Sequence, residues 1–248
     1  MPAHAAMFLD IDGTLVHYAD RPDAVHIDHA LCALLERLRD VAGGALALIS
    51  GRSIADIDAL FAPLRFAAAG QHGAERRSAD GAMHYHLPLA PRLNAQAAIL
   101  RRLALEHPGL LLEEKGVSLA LHYRGDPSAA ALVEREARRV ADALGDDFEL
   151  QSGKHVCEVK PSGKNKGTAI AEFMAEVPFT GRPPVFVGDD LTDELGFELV
   201  NRIGGHSVKV GPGPTRAHWR LGNADEVRLW LSDFAAPGRA QPAGRAAS

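Results

Sequence analysis

Apolar residues along this chain fall into two rhythms. The first is the short unbroken run, in AAMFLD, ALALIS (45–50), PPVFVGDD and HSVKVGPG, each the length of one strand buried on both sides. The second is the helical repeat. DHALCALLERLRDVAGG puts Leu31, Leu34, Leu35, Leu38 and Val41 on one face before closing glycines, and SIADIDALFAP sets Ser53 and Asp56 at capping-box spacing before Pro63. DELGFELVNRI and a last segment around Trp230 repeat the helical period. Buried strands alternating with amphipathic helices predict a parallel sheet covered on both faces.

Between Asp80 and about Val156 the rhythm changes. A helix (PRLNAQAAILRRLALEHPG) leads into a hairpin (GLLLEEKGVSLALHYR), and a second helix (DPSAAALVEREARRVADALG) leads into a second hairpin (DFELQSGKHVCEVK). Asp126 is placed to cap the second helix with Pro127 at its first position, and Lys115-Gly116 and Ser152-Gly153 are the expected turns. Hairpins imply antiparallel pairing, so two αββ units should form a separate α+β domain over residues 80–157. It would interrupt a core domain made of residues 1–79 and 158–234. The Ala/Pro/Gly-rich residues 235–248 have nothing to bury and should be disordered.

Composition narrows the partners. The chain has 248 residues, 46% hydrophobic and 24% charged, which is enough for a core domain plus an insertion. Its net charge of −5 lacks the basic stripes that nucleic acid or an anionic membrane would need, and no protein partner is evident. No apolar run would span a bilayer, and MPAHAAMFLDIDGT enters a strand without signal-peptide features, so a cytoplasmic location is expected. Cys32 and Cys157 have no ligand-like spacing and should be free thiols.

The candidate chemistry sits at strand ends. In parallel sheets ligands bind beyond the carboxyl ends of the strands. There the sequence places Asp10 and Asp12, then Ser50-Gly51-Arg52, then Gly188-Asp189-Asp190. Acids from separate strands brought together repel unless a cation joins them, and hard oxygen ligands suit Mg²⁺, with Asp10, Asp12, Asp189 and Asp190 as the candidate set. Beside such an ion Asp10 could attack phosphorus, Asp12 could protonate the leaving oxygen and then activate water, and Ser50 and Lys166 could hold the phosphoryl oxygens.

DIDGTL, a serine ending a strand, a lysine before glycine and GDDLTDE together resemble the motifs of the haloacid dehalogenase superfamily. ALISGRS, GQHGAERR, LEEKGVSLALHYR, CEVKPSGKNKGTAI and GGHSVKVGPGPTRAHWRL are similar, more narrowly, to its trehalose-6-phosphate phosphatase family, over about Met7 to Leu231. The resemblance implies a Rossmann-like core with an inserted α/β cap, and Mg²⁺-dependent hydrolysis of a sugar phosphate through an aspartyl-phosphate. It implies that Asp193 orients Lys166 or a water, that Asp12 offers the metal its main-chain carbonyl, and that Glu113, Lys115 and Glu158 bind the sugar. His72, Arg76, Arg124 and Lys154, with Gly51 and Arg52, are further candidate substrate contacts. Strand alternation puts Glu113 and Lys115 on one face and Glu114 on the other, which leaves open which face meets the ligand. The cap should close over the core about hinges near Arg77–Gly81 and Val159–Pro161. Other sugar phosphatases of the superfamily, a phosphomutase or a non-catalytic binding module remain the alternatives.

Overall fold

The computed structural model describes residues 4–18, 25–86, 91–153 and 155–236. The four apolar runs form β1 (Ala6–Leu9), β2 (Leu46–Ile49), β10 (Pro184–Gly188) and β11 (His206–Val210). They are the centre of an eight-stranded sheet in the order β12-β11-β10-β1-β2-β3-β4-β5, where β3 is Ala67–Gly70, β4 Glu75–Arg77, β5 Met83–Tyr85 and β12 Trp219–Leu221. All neighbours from β12 to β3 run parallel, and β4 and β5 turn antiparallel at one edge, so the sheet is mixed.

Alternation along β1 explains both layers. Met7 and Leu9 pack with Leu31, Leu34, Leu35 and Leu38 of α1 (His29–Val41), Ile57 of α2 (Ile54–Phe61) and Val227 and Leu231 of α7 (Ala224–Ala235). Ala6 and Phe8 face the opposite layer, against Ile170 and Phe173 of α5 (Lys166–Met174) and Phe197 and Val200 of α6 (Glu194–Arg202). Val41 departs from its expected place on the buried face. As the last residue of α1 it is 44% exposed. Ser53 caps α2, accepting from the Asp56 N–H and donating to its carboxylate.

The middle of the chain makes a second, wholly antiparallel sheet in the order β6-β7-β9-β8, from β6 (Leu111–Glu114), β7 (Leu119–His122), β8 (Phe148–Gly153) and β9 (Val156–Pro161). One face is apolar. Leu119, Leu121, Cys157 and Val159 pack on Leu93, Ala97 and Leu100 of α3 (Pro91–Glu106) and Val133, Ala137 and Val140 of α4 (Ala130–Leu144). Asp126 accepts from the Ser128 N–H and caps a single 3₁₀ turn, Pro127–Ala129, that leads into α4. Cys157 and Cys32 are both free.

Three expectations shift. Ser152 and Gly153 are not the turn: they pair with Cys157 and Val156, so β8 runs on through Gly153 and the reversal comes after it, with His155 at φ 61°. Residues 83–85, expected in the inserted unit, pair with β4 in the large sheet, and Glu158 to Pro161, expected back in the core, still pair with β8 in the small one. The hinge expected at 77–81 is therefore the tip of the β4–β5 hairpin, closed by Ser78 N–H donating to the Ala82 carbonyl. The chain crosses between the sheets after Tyr85 and after Pro161 instead. Residues 237–248, most of the expected tail, lie outside the described residues, while Ala235 is buried as the last residue of α7.

Candidate active site

Asp10 follows β1 and is buried at 4% exposure. Its main-chain N–H still donates to the Val187 carbonyl of β10, so the carboxylate leaves the sheet from a fixed backbone. Gly13, at φ 81°, makes the next turn possible: a Cβ there would lie 2.3 Å from Asp189 Oδ2. On α5, Asn165 and Thr168 form a reciprocal cap, and the first helical residue, Lys166, is thereby aimed at the sheet edge. Its Nζ donates to Asp10 Oδ1 and Asp193 Oδ1, each at 2.8 Å. Asp193 is wholly buried, and its Oδ2 accepts from the N–H groups of Asp189 and Asp190. Gly188 permits this approach, since a Cβ there would sit 2.3 Å from Asp193 Cγ.

Among the described residues, carboxylate oxygens of Asp10, Asp189 and Asp193 lie within 4.8 Å of one another. Burial pushes the Asp10 carboxyl up to about 8, with Lys166 opposing and Asp189 and Asp190 adding to the rise. Burial likewise raises Asp189 to about 7, reinforced by Asp190 and Asp193. Burial disfavours the Lys166 charge, yet Asp10 and Asp193 outweigh it and hold the ammonium well above the lysine range. Asp189 Oδ1 is buried without a hydrogen-bond partner. A shared cation would satisfy that atom and relieve the repulsion, and an all-carboxylate donor set is the hard-oxygen chemistry of Mg²⁺ or a similar divalent ion.

The side chains of Asp12 and Asp190 are engaged by other groups, which for Asp12 leaves the expected main-chain carbonyl. Both Asp12 carboxylate oxygens are gripped by Arg52, from Nε and Nη2 at 2.7 Å each. Asp190 Oδ1 accepts from the N–H and hydroxyl of Thr192, capping the turn that delivers Asp193. Ser50 is buried after β2, its Oγ accepting from the Arg52 N–H.

A cleft of about 660 Å³ opens over these groups. It is lined by Asp10, Asp12, Ser50, Gly51, Arg52, His72, Lys166 and Asp190 from the large sheet's edge, and by Glu113, Lys115 and Arg124 from the small sheet's side. The register decides the face left open by sequence. Glu113 lies opposite Ala120, and Ala120 opposite Glu158, so Glu113 and Glu158 flank a small residue on one face. Glu114 points to the other side, where Arg101 of α3 holds it with both carboxylate oxygens.

Glu158 does not line the cleft but lies beneath it. Burial opposes its charge, yet Lys115 and His72 hold its carboxyl far below the usual range, helped by the Ser118 hydroxyl donating at 2.7 Å. Lys115 Nζ lies 3.4 Å from Glu158 Oε1 and also donates to the Gly51 carbonyl at 3.2 Å. This network joins the small sheet to the loop after β2. His72 sits at φ 56°, after Gln71 at φ 48°, a backbone kept only where its surroundings enforce it. The Gln71 and His72 N–H groups donate to the carbonyls of Arg52 and Ser50.

Arg76 is not in the cleft at all. From β4 its guanidinium reaches Glu172 and Glu176, with its charge over the Phe173 ring. Lys154 lies outside the described residues. Sequence reasoning missed His122, whose Nε2 is 2.9 Å from Glu113 Oε2, and Tyr18, whose hydroxyl bonds the Asp189 side chain. The signal for His122 was present: it shares strand parity with Ala120, opposite Glu113.

Residues 8–223 match the Trehalose-phosphatase family model. The chain is 47% identical over 234 residues to trehalose-6-phosphate phosphatase of Escherichia coli, covering 93% of this chain and 86% of that one. It is similar to a solved trehalose-6-phosphate phosphatase related protein, with TM-score 0.75 and 29% identity over 92% of this chain and 96% of the other. A haloacid dehalogenase superfamily phosphatase from Bacteroides thetaiotaomicron shares the fold, with TM-score 0.62 at 15% identity over 93% and 94% of the two chains.

Proposed function

The chain belongs to the trehalose-phosphatase family, and from that premise we propose that it hydrolyses trehalose 6-phosphate to trehalose and phosphate, through an aspartyl-phosphate on Asp10 and with Mg²⁺. The carrying observation is that one cleft is lined both by Asp10, Asp12 and Lys166 and by the polar face of the small sheet at Glu113 and Lys115. Phosphate release from a panel of sugar phosphates, with and without Mg²⁺, tests it. Equal rates on all of them, or turnover indifferent to chelation, would count against it. Among the described residues no helix is long and apolar enough to cross a membrane, and a cytoplasmic biosynthetic step that ends in the free disaccharide fits this reading.

The chemistry follows from the placements. An Asp10 carboxylate oxygen attacks phosphorus, and the bond from phosphorus to the sugar oxygen breaks. Asp12, whose two oxygens both accept from Arg52 in the resting site, turns out of that pair and takes up a proton from solvent, then donates it to the departing oxygen. Water then attacks the acyl phosphate, Asp12 takes its proton, and the bond to Asp10 breaks to free phosphate. Lys166 and Ser50 supply donors for the phosphoryl oxygens throughout. Asp10 and Asp189 would hold Mg²⁺ by their side chains and Asp12 by its carbonyl, with Asp193 fixing Lys166. When bound, the ion offsets charge on the phosphoryl oxygens. The small sheet and its two helices act as a cap, with the crossings after Tyr85 and Pro161 as hinges.

Two outcomes follow. Asp10 and Asp189 have folded-state values raised above the ordinary 3.8, so the metal-free protein binds more protons than its unfolded chain. Above the range where the lowered carboxyls titrate, its stability should fall as pH rises from about 6 through 8, by up to about 1.4 kcal/mol per pH unit for each fully differing proton. Added Mg²⁺ should therefore raise the melting temperature more at pH 8 than at pH 6. Equal shifts in thermal melts would contradict this. Second, Glu113→Ala leaves His122 without its acceptor and removes the carboxylate 3.9 Å from Lys115, so kcat/KM for trehalose 6-phosphate should drop about 100-fold while a small generic phosphate ester is spared. Equal losses on both substrates would remove Glu113 from sugar selection.

A further inference from the structure

We propose that Lys209 is a positioning residue that aims the Asp189 carboxylate into the acidic cluster, and through it sets cation affinity; the inference rests on the metal-dependent reading above. Lys209 lies on β11 opposite Gly188 of β10, so its side chain starts beside the strand end that delivers Asp189. It is 5% exposed. Its Nζ donates to the Asp189 carbonyl and, at 2.5 Å, to the Val210 carbonyl. Both acceptors are uncharged. Burying an ammonium on such acceptors is expensive, and elsewhere in this site the buried lysine, Lys166, sits between carboxylates.

The bond to the Asp189 carbonyl explains what Lys209 does. The Asp189 N–H donates to Asp193 Oδ2 at 2.9 Å, so this residue is held at its amide by Asp193 and at its carbonyl by Lys209. With the backbone fixed at both ends and the Tyr18 hydroxyl on its carboxylate, the side chain is held against the acidic cluster. It brings a carboxylate oxygen within 4.8 Å of oxygens of Asp10 and Asp193, and its Oδ1 is buried and partnerless. Coulomb's law makes the opposite demand, because a positive charge this close should weaken cation binding. The two effects predict opposite signs when the ammonium is removed, and in the positioning account the loss of aim dominates.

The experiment is Lys209→Met in the full chain, with Mn²⁺ binding followed by electron paramagnetic resonance in the absence of substrate. The Mn²⁺ dissociation constant should rise about tenfold or more. The Mg²⁺ concentration for half-maximal turnover should rise in parallel, while kcat at saturating Mg²⁺ and KM for trehalose 6-phosphate stay within about threefold. Should Lys209→Met fail to fold, Lys209→Gln, uncharged and with its two amide donors on a shorter arm, carries the same measurement. Unchanged or tighter Mn²⁺ binding overturns the proposal, as does a wild-type protein that binds no Mn²⁺. A wild-type protein that binds Mn²⁺ but spares trehalose 6-phosphate refutes the assigned substrate and leaves the Lys209 result to be read by itself.

Discussion

Asp10→Asn should lose turnover by about 10⁴-fold or more, with no recovery at any Mg²⁺ concentration, because the amide oxygen cannot form the phosphoryl bond. The same change should leave the metal-free protein as stable as the wild type or more so. It removes one of three mutually repelling carboxylates, two of them buried and Asp189 half-buried, while Lys166 keeps Asp193 as a partner. The two measurements together are diagnostic: a thermal melt equal to or above the wild type, with phosphate release at background, places Asp10 in the chemistry rather than in the scaffold. Retained turnover would dismiss it as nucleophile.

Lys166→Met should damage both stability and rate. It leaves Asp10 and Asp193 without their shared cation at a buried position, a loss of about 3–5 kcal/mol for a broken buried pair. The sign with pH is fixed by the acids left behind. Their folded-state values move further above those of the unfolded chain, so the stability they allow is present at low pH and lost as pH rises through those values. The deficit of the variant against wild type in metal-free thermal melts should accordingly be smaller at pH 5 than at pH 8. Turnover at saturating Mg²⁺ should fall by about 10³-fold, since the developing phosphoryl charge loses a fixed donor. A deficit that widens on acidification would show that Lys166 does not neutralise this pair.

The strands that carry Asp10, Ser50 and Asp189 were legible because each is a continuous apolar run, and α1 because its leucines repeat at helical spacing. The edge strand β4 was not. Glu75, Arg76 and Arg77 are consecutive charged residues, yet all three are buried. Glu75 accepts from the Ile54 N–H, Arg77 donates to Asp58 and the Phe66 carbonyl, and Arg76 reaches Glu172 and Glu176. Partners up to 100 residues away pay the desolvation, and local pattern carries no trace of them. The same blindness placed Arg76 beside the sugar. Ser152-Gly153 suggested a turn by residue type, but the hydrogen-bonded register of β8 with β9 moved the reversal beyond Gly153. His122 is the opposite case, because period-two alternation from Glu113 across β7 would have found it.

That alternation also separates two tasks that most recognition surfaces entangle. On the small sheet, Leu112, Leu121 and Val159 belong to the face packed on α3 and α4, whereas Glu113, Ala120 and His122 belong to the face turned toward the cleft. A combinatorial library restricted to Glu113 and His122, which line the cleft while Ala120 on the same face is fully covered, would vary the shape and polarity offered to a ligand while leaving the packed layer untouched. Retargeting such a scaffold to a different phosphorylated carbohydrate thus becomes a choice of side chains at every second residue, with the hydrolytic centre kept whole.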